Sequence, residues 1–169
     1  CMNKLALNAA VAGELEWARQ MSRGRTPRLV ACLAYAGLIP FLALLAASWL
    51  DTQRSGVWPQ LSLQYGAVIL SFAGALHWGF AMSVQFVSDR KRNVCFAWSV
   101  IPALLAWLAL ALDPLAGSAL LATGFGVHYF QDWRLFRHAG LPIWYLPLRL
   151  QLSVVAAASL LATSFASQV

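Results

Sequence analysis

A chain of 169 residues, 60% hydrophobic and only 11% charged, has room for one domain. It carries far fewer charges than the roughly 25% of a soluble domain. The apolar residues fall in runs of about 20, the length that takes a helix across ~30 Å of hydrocarbon. The net charge of +6 sits beside those runs and not along one soluble face, which argues against a nucleic-acid partner and for membrane lipids.

Residues 1–27 form a polar, mildly amphipathic segment, read either as a cytoplasmic tail or as a helix lying on the membrane surface with Trp17 among the headgroups. Cys1 precedes Met2, the expected initiator, and reads as a residue appended to it and not as a lipidated N-terminal cysteine. The membrane domain, 28–169, is predicted to hold five spans, at about 28–50, 61–87, 94–112, 115–133 and 144–166. Gly37 and Pro40 interrupt the first, and a kink is expected at Pro40. Trp49 and Trp58 flank the polar loop 51–59, as in an interfacial aromatic belt. Span two carries small residues, among them Gly66, Ser71, Gly74 and Gly79, at spacings that let helix backbones approach closely in lipid. Asp113 and Pro114 make a tight turn between spans three and four. Pro147 falls in the first turn of span five, where a missing N–H costs little.

The basic residues set the orientation. Lys4, Arg19, Arg23, Arg25 and Arg28 precede span one; Arg90, Lys91 and Arg92 follow span two; Arg134 and Arg137 follow span four; Arg149 lies just inside span five. Only Arg54 falls on the other side. The positive-inside rule then puts the N-terminus in the cytoplasm and the C-terminus outside. The expected fold is all-α: a polytopic bundle of five transmembrane helices in a bacterial inner (plasma) membrane.

The candidate functional groups gather at 125–152. His128 and Asp132 are four residues apart and share a helix face, with Tyr129 on the adjacent stripe. Arg149 sits about six residues inside span five, at a depth where an ionised group needs a partner. Spans four and five are joined by a short loop, so Asp132 and Arg149 can meet. Three readings stay open: a structural staple closing the hairpin, a pocket for an anionic headgroup or small solute, and Arg149 reaching out to lipid phosphate. His77, near the middle of span two, is a candidate site residue and equally a packed neutral donor. A haem held between His77 and His128 is a remote alternative, because the two lie about 7–8 Å apart in depth by helical rise. Cys32 and Cys95 lie inside apolar runs with no metal-ligand spacing, so neither a disulfide nor a metal site is expected. No protease, hydrolase or nucleotide-binding motif occurs. The HxxxD of 128–132 supplies no nucleophile.

The stretch Tyr65-Gly-Ala-Val-Ile-Leu-Ser-Phe-Ala-Gly-Ala-Leu-His-Trp-Gly79, the later Leu141-Pro-Ile-Trp-Tyr-Leu-Pro-Leu-Arg149 and the preceding Asp132 resemble a domain-of-unknown-function family of small multi-span membrane proteins, one that includes transmembrane protein 69. The resemblance covers about 27–166. It implies a five-helix protein of a bacterial inner membrane or of mitochondrial type, and it brings no activity or catalytic residue. The first expectation is therefore a non-catalytic accessory or assembly subunit, without cofactor, that pairs with lipids and other membrane subunits. The alternative is a small transporter or a lipid- or solute-binding protein that uses His77, His128, Tyr129, Asp132 and Arg149.

Overall fold

The computed structural model describes residue 11 and residues 26–83, 89–139 and 142–166. The N-terminal tail or interfacial helix, Val11 and residues 26–27 apart, lies outside the described residues, as do 84–88 and 140–141 of the two basic loops.

Among residues 26–166 that are described, the helices run in order α1 (Arg28–Ala36), α2 (Ile39–Leu50), α3 (Val57–Ser83), α4 (Asp89–Leu110), α5 (Pro114–Ala139) and α6 (Tyr145–Ala166), with a 3-10 turn at Thr52–Arg54. The first apolar run is broken earlier than expected. Its α-helix stops at Ala36, and Pro40 falls in the first turn of the next helix. A continuous helix would drive the Pro40 ring into the Ala36 carbonyl, so the chain breaks at Gly37 and Leu38 and the proline opens α2. The Tyr65 hydroxyl donates to the Gly37 carbonyl at 2.8 Å, giving the freed acceptor a partner. Tyr35 donates to Gln151 Oε1 at 2.7 Å and ties α1 to α6. At the head of α5, Asp113 Oδ1 accepts from the backbone of Leu115 and Ala116, both at 3.1 Å, and Pro114 fills the first helical position.

Helix α3 is the hub. It packs against α4, α5, α6 and α2, and consecutive members of that series also touch one another. Three helices present buried seams with steps of three and four residues, the spacing of left-handed helix packing. In α3 the seam runs Leu63, Ala67, Leu70, Gly74, His77, Ala81; in α5, Ser118, Leu121, Phe125, His128, Asp132; in α6, Arg149, Ser153, Ala156, Leu160, Thr163. Their apolar middles meet with Phe41, Ala106 and Ala109 in one core. Gly66 admits Leu160 and Leu121, and a Cβ there would lie 2.9 Å from Leu160 Cδ2. Gly74 lies against Pro102 and the Ser99 carbonyl, with a virtual Cβ 2.9 Å from each. Ser71 bonds back to the Ala67 carbonyl of its own helix. A Cβ on Gly79 would meet nothing within 4 Å among the described residues.

The outside is apolar and the inside carries the polar groups, the reverse of a soluble domain. Leu29, Leu33, Trp49, Phe72, Trp107 and Val154 are exposed, while His77, His128, Asp132, Arg149 and several serines are buried. The molecule is an all-α bundle of four to five candidate membrane-spanning helices. Among the described residues four apolar stretches are long enough to cross: Arg28–Leu50, Val57–Met82, Arg92–Leu110 and Tyr145–Ala166. Helix α5, at 26 residues, has the length, ~39 Å of rise, but its His128, Gln131, Asp132 and Arg134 lower its apolar character. His128 and Asp132 are buried against other helices, so they are not a cost against lipid, and the exposed Arg134 lies toward the end of the helix.

Candidate functional site

The polar ends of the three seams converge at the bundle end where α5 finishes and α6 begins. Asp132 is the centre, with no exposed surface. Arg149 Nε donates to its Oδ2 at 2.9 Å. Its other oxygen, Oδ1, faces His77 Nε2 at 3.5 Å and His128 Nε2 at 3.9 Å. The latter is beyond hydrogen-bond reach and the former at its limit, and neither counts as a bond once hydrogens are placed. The two imidazoles meet edge to face with centroids 4.8 Å apart. Tyr145 turns its hydroxyl toward the same carboxylate without closing a hydrogen bond of good geometry.

From α4, Trp98 Nε1 lies 3.1 Å from His128 Nδ1. An indole nitrogen only donates, so Nδ1 accepts and the proton of the neutral ring sits on Nε2. The Ala73 carbonyl also borders this ring.

Much of the cluster is left unpaired. Nine buried side-chain polar atoms lack a partner among the described residues. Seven belong to this neighbourhood: His77 Nδ1 and Nε2, His128 Nε2, Asp132 Oδ1, Tyr145 Oη, Arg149 Nη2 and Ser153 Oγ. A buried polar atom without a partner costs about 1–3 kcal/mol, and fewer than one in ten is normally left so.

Residues 26–165 match the family described as protein of unknown function DUF3429. The chain belongs to the DUF3429 family. It is similar to transmembrane protein 69 of Xenopus tropicalis, 36% identical over 149 residues that make up 85% of this chain and 56% of the relative. It is also similar to transmembrane protein 69 of Mus musculus, 27% identical over 140 residues, 82% of this chain and 56% of the relative. The chain thus spans about half the length of the curated relatives it matches. No solved structure matches it. These vertebrate relatives overturn the assignment to a bacterial inner membrane. The charge pattern behind that assignment fixes a side, not a kind of membrane: a matrix or a cytosol can equally be the basic side.

In this DUF3429 chain His77, His128, Asp132 and Arg149 come together, and Tyr129 does not join them. Tyr129 is half-buried one position round α5 and takes part in none of the described polar contacts. The phenol at the cluster is Tyr145. Its signal was present in the sequence, since 145, 149 and 153 step by four along one helix face. Trp98 had no such signal, because only tertiary packing brings α4 to His128. The depth offset of about 7–8 Å between the histidines is corrected: the rings are in contact. A bis-histidine haem needs its imidazoles on opposite faces of the macrocycle, whereas here both Nε2 atoms face one carboxylate. His77, His128 and Asp132 also place one ligand atom each within 4.8 Å of the others, close enough for a metal ion. The donor set does not fit one. Metal-binding histidines donate through the second nitrogen, while His128 accepts there, which leaves a proton on the nitrogen that would bind. The Arg149 guanidinium on the same carboxylate adds a like charge.

Proposed function

We propose that this chain is a small membrane-embedded binding protein or transporter for a polar solute or lipid headgroup, with its site between α3, α5 and α6. One observation carries the reading: a single buried ion pair keeps an unpartnered atom on each of its two members, and five more unpartnered polar atoms lie on His77, His128, Tyr145 and Ser153 of the same three helices. An accessory subunit that used these residues only as a staple would close them on one another, because nothing in lipid offers an unpaired group a partner. Five spans accommodate the arrangement, α5 crossing as the polar helix enclosed by the others. The N-terminus then lies on the basic side and the C-terminus opposite. Arg92, Arg134 and Arg137 mark that basic side, and the last two stack on Phe130 and Trp133 at 5.8 and 3.9 Å. The cluster sits one to two helical turns inside it, a depth at which a headgroup or solute can enter from the interface.

The test is a high-resolution map of the protein in lipid nanodiscs. Non-protein density bounded by Arg149 Nη2, Tyr145 Oη and Asp132 Oδ1 is expected. A flat protein contact that pairs these atoms with one another rejects the reading and restores the subunit role.

A further inference from the structure

The unpartnered atoms are not balanced between donors and acceptors. Arg149 Nη2 only donates, and the Tyr145 and Ser153 hydroxyls each have a proton to give; the remaining ring N–H of His128 has the Ala73 carbonyl beside it. Against them stands one obligate acceptor, Asp132 Oδ1. Three of the donors lie on α6 at residues 145, 149 and 153, a row about 12 Å long on one face. Such a row matches a ligand rich in acceptors.

Charge adds a second constraint. Asp132 and Arg149 cancel, and the neutral histidines add nothing. An anion entering this buried site would leave one uncompensated negative charge, which a low-dielectric interior does not tolerate. A proton arriving with it removes the problem, and the geometry selects where that proton goes. His128 cannot take it without setting its new Nδ1–H against the Trp98 N–H at 3.1 Å. His77 can: with Nε2 turned to Asp132, its Nδ1 is buried and free of any donor. The groups around His77 are few. Helix α5 presents His128 and Asp132, α6 presents Arg149 and Tyr145, and α4 presents Trp98 through His128. The charged pair at the start of α4, Asp89 and Arg92, is closed on itself at the exposed end.

Resting on the reading of this cluster as a solute or headgroup site, we infer that it takes a small monoanionic oxyanion group, carboxylate or phosphate in type, together with one proton held on His77. The α6 donor row receives the oxygens, and His77 Nδ1 receives a proton from bulk solvent, where the acid form of the buffer supplies it. The same chemistry can come from a free oxoacid or from an anionic lipid headgroup.

The experiment uses the full chain in phosphatidylcholine nanodiscs, titrated calorimetrically with acetate between about pH 6 and about pH 8, where histidine changes charge. Buffers of different ionisation enthalpy count the protons. Free acetate remains ionised throughout, so a proton counted here is taken up on binding, and the His77→Gln comparison decides whether His77 holds it. The expected result is uptake of about one proton per acetate and an affinity that falls about tenfold per pH unit while His77 is neutral in the free protein. Repeating the titration with phosphatidylglycerol in the disc separates the sources: competition marks a headgroup site and its absence a site for a soluble oxyanion, the chemistry holding in both. Tyr145→Phe and Ser153→Ala keep the ion pair, and each should weaken acetate by about 2- to 12-fold through one lost hydrogen bond. His77→Gln should abolish proton uptake and flatten the pH dependence. Acetate binding without proton uptake overturns the coupling. No acetate binding and no phosphatidylglycerol effect, or binding of glycerol in preference to acetate, overturns the oxyanion class. If non-protein density is then still seen in the map, only the class has failed; if it too is missing, the site itself has.

Discussion

The sharpest test of the cluster is to break its ion pair from each side and then from both. Arg149 Nε and Asp132 Oδ2 are 2.9 Å apart, with side chains 10% and 0% exposed. At an effective dielectric constant of about 20, two charges ~4 Å apart attract by ~4 kcal/mol. Removing one partner also strands the other in a place it cannot leave cheaply, which typically costs about 3–5 kcal/mol. Arg149→Met should reach the upper part of that range, because Asp132 has no stem long enough to reach water. Asp132→Leu should fall lower, because Arg149 lies only four residues past the start of α6 and can extend toward the headgroups. The double variant Asp132→Leu/Arg149→Met leaves no orphaned charge, so it should recover most of the loss and lie within about 2 kcal/mol of the parent. The assay is equilibrium unfolding in mixed micelles, followed by the fluorescence of the eight tryptophans. A coupling energy of about 3 kcal/mol is expected from the cycle. If the double variant loses the sum of the two single losses, or either single costs under ~1 kcal/mol, the pair is not the buried, mutually dependent unit described here.

Other consequences follow from single positions. A Cβ on Gly117 would sit 2.6 Å from the Ala109 carbonyl and 2.9 Å from Leu63 Cδ2, whereas one on Gly79 meets nothing within 4 Å among the described residues. Gly117→Ala should therefore destabilise the bundle by about 1–3 kcal/mol and Gly79→Ala by less than ~0.5 kcal/mol; equal losses in the same unfolding assay would contradict the packing. Trp98→Phe removes the donor to His128 Nδ1 and lets the ring move its proton there. The variant should lose about 0.5–1.5 kcal/mol in the same unfolding assay through that one hydrogen bond; an unchanged stability would mean that His128 is not held by Trp98. Tyr65→Phe strips the Gly37 carbonyl of its partner at the break between α1 and α2, at a cost of about 0.5–1.5 kcal/mol. Faster hydrogen exchange in α1 and early α2, with the rest of the bundle unchanged, would record it.

Most of the scaffold could be read in the sequence because hydrocarbon thickness dictates helix length. Helix α4 begins five residues before its expected start and α5 runs six beyond its expected end. Both extensions are the charged first and last turns, 89–93 and 134–139, that hydropathy assigns to loops but that a helix can carry into the headgroup region. The meeting of Asp132 and Arg149 was legible too, since a short loop forces α5 and α6 to be neighbours. The depth of His77 is not legible in this way, because the end of an apolar run is a poor depth marker when a helix projects past the membrane. Counting along the seam works better: from Leu63 through Leu70 to His77, and from Ser118 through Phe125 to Asp132, equal steps reach one level. Trp98 and the exchange of Tyr129 for Tyr145 depend on helix rotation and on which neighbour α4 meets, and local spacing carries neither.

The opposite end of the bundle shows what the same helices do when polar groups only have to pack. There Ser118 and Ser164 are 2.8 Å apart, and Ser164 donates to the Pro114 carbonyl at 3.2 Å. Thr163 bonds the Ser159 carbonyl at 2.8 Å. Small hydroxyls that bond their own or the next backbone are the low-cost way to join helices in lipid, worth about 0.6 kcal/mol apiece. The basic end departs from that economy. It buries an acid, an arginine and two histidines where serines would serve, and it bonds only one edge of the acid to the arginine. Specificity of pairing does not require this, because α5 and α6 are already registered by their apolar seam and by the serine contact. Four ionisable or tautomeric groups facing one point, with one carboxylate oxygen left unbonded, are a costlier arrangement than helix pairing needs, and that excess is the observation on which the proposed binding role rests.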